Sequence, residues 1–171
     1  MSILAAKLSG LNIKQILHAT KNINEVNGRL QLIRTIPNKT KIFIDYAHTP
    51  DALETTLKSL KTHYAIKPDV VFGCGGERDK KKRSKMANIC EKHAERIYVT
   101  DDNPRNENPK KIRDEIMKGC KGKAVAIGNR EKAINAGINE LKQNKILLIA
   151  GKGHENTQDY GNRILNISDK K

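Results

Sequence analysis

Tryptophan is absent from this chain, and only two phenylalanines and four tyrosines occur among its 171 residues. So few rings leave little material for stacking on unpaired bases, and no zinc-finger or RNP-like pattern accompanies the lysines. Acidic residues are also scarce, 19 against 33 lysines and arginines, for a net charge of +14. That charge suits nucleic acid, an anionic surface or acidic small molecules. The lysines are spread along the chain, however, so helix surfaces and phosphate- or carboxylate-bearing ligands account for it, and no nucleic acid partner is expected.

Long apolar runs are missing as well. The most apolar, Ile146-Leu147-Leu148-Ile149-Ala150, has the length of a strand and falls far short of a membrane span. The first residues lack the charged start and cleavage site of a signal peptide. A soluble, cytoplasmic protein without membrane contact is expected. The cysteines, Cys74, Cys90 and Cys120, are odd in number and show no C-x-x-C pairing, which argues against zinc and redox sites and for reduced, structural thiols. Cys74 lies in a glycine-rich loop and reads as a small buried filler.

What is present is a repeat of strand and helix patterns. Short β-rich runs at 41–46, 69–72, 96–100, 124–127 and 145–150 alternate with helical patterns at 50–62, 85–94, 109–118 and 131–142. The helical faces are Ala52, Leu53, Leu57 and Leu60; Met86, Ile89 and Cys90; Ile112, Ile116 and Met117; and Ile134, Ile138 and Leu141. Parallel neighbours need crossover connections, so this alternation predicts an α/β fold with a mainly parallel sheet flanked by helices on both faces. The turn signal Tyr160-Gly161-Asn162 before 163–167 suggests a final antiparallel strand. Residues 28–36 suggest a first strand, and the first 27 form one more helical pattern that begins abruptly, as though cut from something longer.

In open parallel sheets, ligands bind beyond the carboxyl ends of the strands, and the polar clusters of this sequence fall there. Asp101-Asp102-Asn103-Pro104-Arg105 offers a guanidinium able to grip a carboxylate through two charge-assisted bonds, with Pro104 stiffening the turn. Helix capping does not require these residues, because Asn106 or Asn108 can cap the helix beginning near Pro109. Gly73-Cys74-Gly75-Gly76-Glu77-Arg78 permits close backbone approach to a ligand, with Arg78 and Lys80 beside it; the alternative is a tight turn with solvated charges through Arg83. No G-x-x-x-x-G-K-[ST] phosphate loop occurs.

Asp45-Tyr46-Ala47-His48 sets an acid and an imidazole at a strand end, where His48 would touch a phosphate or orient Asp45, or form only a structural pair with it. Thr49 or Asp51 would cap the helix that follows. Gly151-Lys152-Gly153-His154-Glu155 ends the last long strand, either as a simple turn or with Glu155 receiving a ligand ammonium. His18, His63 and His93 have no partner cluster, and no spacing supports a metal site.

These four motifs, in their order along the chain from Asp45 to Glu155 and extended through Pro50-Asp51-Ala52-Leu53 and Asp79-Lys80, resemble the carboxy-terminal domain of the Mur ligases over essentially the whole chain. The resemblance implies a Rossmann-like domain over residues 28–171, preceded at 1–27 by the terminal helix of a central ATP-binding domain and a linker. Within the family, Asp-Asn-Pro-Arg is the signature of members that add meso-diaminopimelate, rather than lysine, to UDP-N-acetylmuramoyl-L-alanyl-D-glutamate in peptidoglycan synthesis. Carried over, Arg78, Asp102, Asn103, Pro104, Arg105, Gly151 and Glu155 bind the amino acid, while Arg29, Asp45 and His48 lie near the ATP phosphates.

ATP and Mg2+ belong mainly to the family's central domain. The phosphate loop, magnesium ligands, modified lysine and uridine-nucleotide domain are all expected upstream of Met1. No complete catalytic set, no metal and no cofactor of its own is therefore expected here, and the resemblance implies a monomer inactive as a ligase by itself. A standalone amino-acid-binding or regulatory module is the rival reading.

Overall fold

The computed structural model describes residues 2–37 and 39–170. Its elements in chain order are α1 (Ser2–Leu8), α2 (Ile13–Thr20), β1 (Gln31–Thr35), β2 (Lys41–Asp45), α3 (Pro50–Tyr64), β3 (Asp69–Phe72), α4 (Lys81–His93), β4 (Ile97–Val99), α5 (Pro109–Met117), β5 (Ala124–Ala126), α6 (Arg130–Asn139), β6 (Ile146–Ala150), β7 (Thr157–Asp159) and β8 (Ile164–Asn166). Six strands form one sheet in the order β1-β2-β6-β3-β4-β5, while β7 and β8 make a separate antiparallel hairpin. Only β1 runs antiparallel within the large sheet. The mainly parallel α/β architecture and the antiparallel final strand match the sequence expectation.

Alternation along the strands divides the core in two. Phe43, Val70, Phe72, Ile97, Val99, Ile146 and Leu148 face one layer with Leu53, Leu57 and Leu60 of α3, Met86 and Cys90 of α4, and Ile112 and Ile116 of α5. Ile42, Ile44, Val71, Tyr98, Leu147 and Ile149 face the other layer with α6. Strands covered on both faces read as largely apolar runs, and β3, β4 and β6 are buried at every position, Asp69 at the start of β3 being the one acid among them. Thr49 caps α3 through Ala52 N, and Asn108 caps α5 through Lys111 N.

Two details differ from the sequence reading. The opening helical pattern folds as two helices, broken at Gly10, whose φ of +88° lies in the left-handed region. The face of α6 is also rotated, because its buried residues are Arg130, Ala133 and Gly137, leaving Ile134, Ile138 and Leu141 only partly buried. Small residues let this helix lie close to the sheet, and a Cβ at Gly137 would stand 3.1 Å from Leu147. The partly buried isoleucines then join Ile33, Ile36, Ile42 and Ile149 along a groove of about 670 Å³.

All three cysteines are free thiols, and burial pushes Cys74 up to about 12 and Cys120 up to about 11. Cys74 Sγ packs 3.8 Å from Met86 Sδ, as expected of a core filler. No helix among the described residues is long and apolar enough to cross a membrane.

Arg130, at the first position of α6, is buried against Asp169, with Nε and Nη2 donating at 2.7 Å to the two carboxylate oxygens. Nη2 also donates to Ala150 O at 3.1 Å, which ties the last residues described to the end of β6. Removing one partner of such a pair leaves a charge without compensation in the interior. Asp169→Ala is therefore expected to lower unfolding free energy by about 3–5 kcal/mol, and Arg130→Met/Asp169→Leu to recover most of that loss. Denaturant titration checks it; a single-mutant loss below ~1 kcal/mol would mean that water reaches the pair.

Candidate functional site

The position of β6 in the middle of the sheet determines how the polar strand ends meet. Gly151 begins the loop after β6 with a φ of +113°, and its N–H donates to Asp45 O at the end of β2. A Cβ there would also stand 2.9 Å from Asp102 Oδ2, at the end of β4. The loop thus touches the ends of strands on both of its sides, and it joins two clusters.

The first cluster gathers Asp102, Asn103, Lys152 and Glu155. Asp102 Oδ1 accepts from Asn103 N at 2.7 Å, and Asn103 Nδ2 donates to Glu155 Oε2 at 3.2 Å. Lys152, almost completely buried, donates through Nζ to Glu155 Oε2 at 2.9 Å and Asn103 Oδ1 at 3.1 Å. Burial alone would raise the Glu155 carboxyl, but the Lys152 hydrogen bond and charge, helped by Asn103 and His154, hold it below the ordinary glutamate range. An ionised carboxylate follows, with its bonds to Lys152 and Asn103 both made through Oε2.

Arg105 adjoins this cluster. Its Nη1 donates to Gly76 O at 2.8 Å and to Asn103 O at 3.3 Å, and Nε stands 4.0 Å from Asp159 Oδ2. Its backbone takes the left-handed conformation, φ +52°, which costs a non-glycine residue roughly 1–2 kcal/mol. Arg105 N donating to Asp159 O helps hold that conformation. The half-buried side chain also lines an open concavity of about 480 Å³ with Asn106, Tyr160, Asn162 and Arg163.

Hydrogen bonds from the β7–β8 hairpin hold the 101–105 segment. Gln158 Nε2 donates to Asp101 O and Asp102 O at 3.1 and 2.7 Å, and Asp159 N donates to Asn103 Oδ1 at 3.0 Å. Tyr160 Oη donates to Asp101 Oδ2 at 2.9 Å, and burial together with that bond pushes the phenol up to about 12. Arg113 also pairs with Asp101, so Asp101 is a structural acid and Asp102 the one turned to the cluster. The sequence reading took Tyr160 only as part of a turn signal and assigned Gln158 and Asp159 no role; their short polar pattern carries no signal of what they hold.

Across the gap, Gly76 N donates to Asn103 O at 2.9 Å, and a Cβ at Gly76 would fall 1.9 Å from Pro104 O. Only glycine permits that approach. Arg78, by contrast, is exposed, and none of its side-chain polar atoms bonds to the cluster among the described residues. Nor is Arg83 a solvated charge of this loop. It is buried in α4, bound to Glu107 and Glu115.

The second cluster surrounds Tyr46. Arg29 lies 4.2 Å over its ring, and the His48 and His154 rings lie 4.5 and 5.5 Å from it. Asp45 does not rely on His48 for orientation. Its carboxylate accepts from Leu30 N at 2.5 Å and Ala47 N at 2.8 Å, while His48 Nδ1 meets Tyr46 O at 2.9 Å. Tyr46, the hub of this arrangement, escaped the sequence reading because a lone ring beside an acid and an imidazole carries no spacing pattern. No group of three or more His, Cys, Asp or Glu among the described residues is arranged to hold a metal ion.

Known proteins match this chain in both sequence and fold. The chain is 49% identical over 173 residues to the UDP-N-acetylmuramoyl-L-alanyl-D-glutamate--2,6-diaminopimelate ligase of Rickettsia montanensis, covering 99% of this chain and 35% of the relative. The ligase of the same name from Buchnera aphidicola subsp. Acyrthosiphon pisum is 46% identical over 164 residues, covering 95% and 33%. A solved structure of a ligase of that name superposes with a TM-score of 0.77 at 35% identity, over 98% of this chain and 34% of the other. The chain thus spans about a third of the length of the relatives it matches. The family model described as Mur ligase, glutamate ligase domain, matches residues 28–153, and with this agreement in sequence and fold the chain belongs to the Mur ligase family.

Proposed function

We propose that this chain is the carboxy-terminal, amino-acid-binding part of an ATP-dependent ligase that adds meso-diaminopimelate to UDP-N-acetylmuramoyl-L-alanyl-D-glutamate. The observation that carries the reading is Arg105, its Nη1 tied to Gly76 O and to Asn103 O, while the Asn103 side chain in turn donates to an ionised Glu155. One guanidinium edge is committed to backbone carbonyls. Nη2 makes no hydrogen bond among the described residues and Nε stands 4.0 Å from Asp159 Oδ2, so a ligand carboxylate would be taken up through these remaining donors.

Diaminopimelate carries a carboxylate where lysine has none, together with a second ammonium. Arg105 would receive the carboxylate, and Asp102 or Glu155 an ammonium, with Asn103 and Gly151 forming the floor between them. Pro104 contributes shape, since its carbonyl lies against Gly76. Arg78, exposed at the rim, is available to a ligand that enters over the glycine loop. Lysine would offer Arg105 no carboxylate and place a cation near it, so selection works partly by repulsion.

Arg29, Asp45 and His48 are assigned to the ATP-phosphate side, supported by the stack around Tyr46. These residues supply a cation and rings but no phosphate loop, and no group of ligands for Mg2+ occurs among the described residues. ATP would therefore touch this chain and be held, with Mg2+, chiefly by a preceding domain, whose terminal helix and linker residues 1–27 would supply. Leu4, Leu8, Leu11 and Leu17 stand exposed on the first two helices, as suits a surface that packs against further protein. In the ligase reaction, the glutamyl carboxylate is phosphorylated, the amine attacks the acyl phosphate, and phosphate leaves. This chain holds and orients the amine.

Arg105 is partly exposed, which sets the discrimination at the low end for a charge pair, about 2 kcal/mol or roughly 30-fold. Calorimetric titration of the wild type is expected to show meso-diaminopimelate favoured over lysine by about that factor, and Arg105→Ala to abolish the preference. Equal affinities in the wild type would overturn the reading. Affinity for meso-diaminopimelate should hold down through mildly acidic pH and fall only below the ordinary glutamate range, because the lowered Glu155 stays ionised until then. Incubated with ATP, meso-diaminopimelate and the nucleotide dipeptide, the chain should form no ADP; ADP formation would refute the assignment of phosphoryl transfer to other residues.

A further inference from the structure

The buried Arg83 belongs to none of the motifs that carry the proposed function, yet it joins the two loops on which Arg105 depends. From α4, Nη1 donates to Glu115 Oε2 at 2.7 Å, and Nη2 donates to both Glu107 oxygens at 3.1 and 3.0 Å and to Gly75 O at 3.4 Å. The side chain is only 1% exposed, so these bonds are shielded from competing water. Glu107 follows the Asp102–Arg105 segment by two residues. It reaches back across the gap, where its Oε1 accepts from Glu77 N at 2.5 Å, and Lys80 Nζ lies 3.8 Å from Oε2.

The chain of contacts then runs without a break. Arg83 holds Gly75 and Glu107; Glu107 holds the backbone of Glu77, which sits in the left-handed region at φ +54°. Asn106 Nδ2 donates to Glu77 Oε1 at 2.9 Å, adding a second tie between the loops. Between Gly75 and Glu77 stands Gly76, whose N–H meets Asn103 O and whose carbonyl accepts from Arg105 Nη1. The guanidinium of Arg105 is thus aimed by a carbonyl whose position is set on both sides by Arg83 and Glu107.

We propose that Arg83 and Glu107 are positioning residues for amino-acid selection, acting on the ligand only through the glycine loop and the Arg105 guanidinium. The inference rests on the amino-acid-binding reading above. Lysine in place of Arg83 keeps the charge but cannot span Glu115, Glu107 and Gly75 O together, because it lacks the planar fork. The glycine loop then loses its tie, and the Gly76 carbonyl no longer fixes Arg105.

Calorimetric titration with meso-diaminopimelate and with lysine tests this on the wild type, Arg83→Lys, Glu107→Gln, Arg105→Ala and Arg83→Lys/Arg105→Ala. Arg83→Lys and Glu107→Gln should weaken meso-diaminopimelate about tenfold while changing lysine by less than about twofold. On the Arg105→Ala background, Arg83→Lys should cost nothing further, since coupled residues are not additive. Equal losses for both amino acids, or an additive loss in the double variant, would reduce Arg83 to a structural ion pair and overturn the inference. A wild type without preference for meso-diaminopimelate would instead refute the underlying reading.

Nitrogen-edited NMR of the ligand-free protein keeps the inference testable in that case. The Arg105 Nε–H signal, assigned by its loss in Arg105→Lys, should shift and exchange faster in Arg83→Lys and in Glu107→Gln; an unchanged signal in both would overturn it.

Discussion

Everything at the polar rim depends on the return of the chain into the middle of its own sheet. β6 enters between β2 and β3 and pairs in parallel with both, so its five apolar residues are buried on two faces and its carboxyl end opens between two older strand ends. A parallel insertion of this kind demands a crossover on the face that α3, α4 and α5 leave free, which is the place α6 occupies. The loop that follows is consequently shared. Gly151 and Glu155 serve the Asp102–Arg105 side, and Gly153 and His154 pack against Gly28 and Tyr46.

Charge in this domain is organised by depth. Most of its lysines are exposed, where solvent screens them. The buried cations, Arg83, Arg130 and Lys152, each meet a carboxylate: Glu107 and Glu115, Asp169, and Glu155. Each of the three also reaches a strand-end loop, through Gly75 O, Ala150 O or Asn103 Oδ1. Rigid loops at a binding rim need such internal ties, because a loop held only by its own turns would sample several poses and orient a ligand poorly.

The repeat of strand and helix was legible in the sequence because each element carries its own period and is bounded by glycine, proline or capping residues. Even the rim was legible, since β6, β3, β4 and β2 all end in conspicuous polar motifs. α6 was harder, because its contact stripe uses Ala133 and Gly137, and small residues give a weak periodic signal even where they pack most closely. The roles of Gln158 and Tyr160 were hidden for another reason. Their partners lie more than fifty residues away in the chain.

Local chemistry determined a good deal by itself: which runs become strands, that the glycine loop at 73–78 permits close backbone approach, and that Asp102, Arg105 and Glu155 sit at strand ends. Tertiary structure alone decided which of two adjacent acids is structural, that Arg83 is buried and not solvated, and that Tyr46 rather than Asp45 is the hub around which His48, His154 and Arg29 stack. The physical reason is that a side chain's type is fixed by its codon, whereas its burial and its partners depend on which strand lies next to which. Here that neighbour is β6, the last strand of the large sheet along the chain and the one placed at its centre.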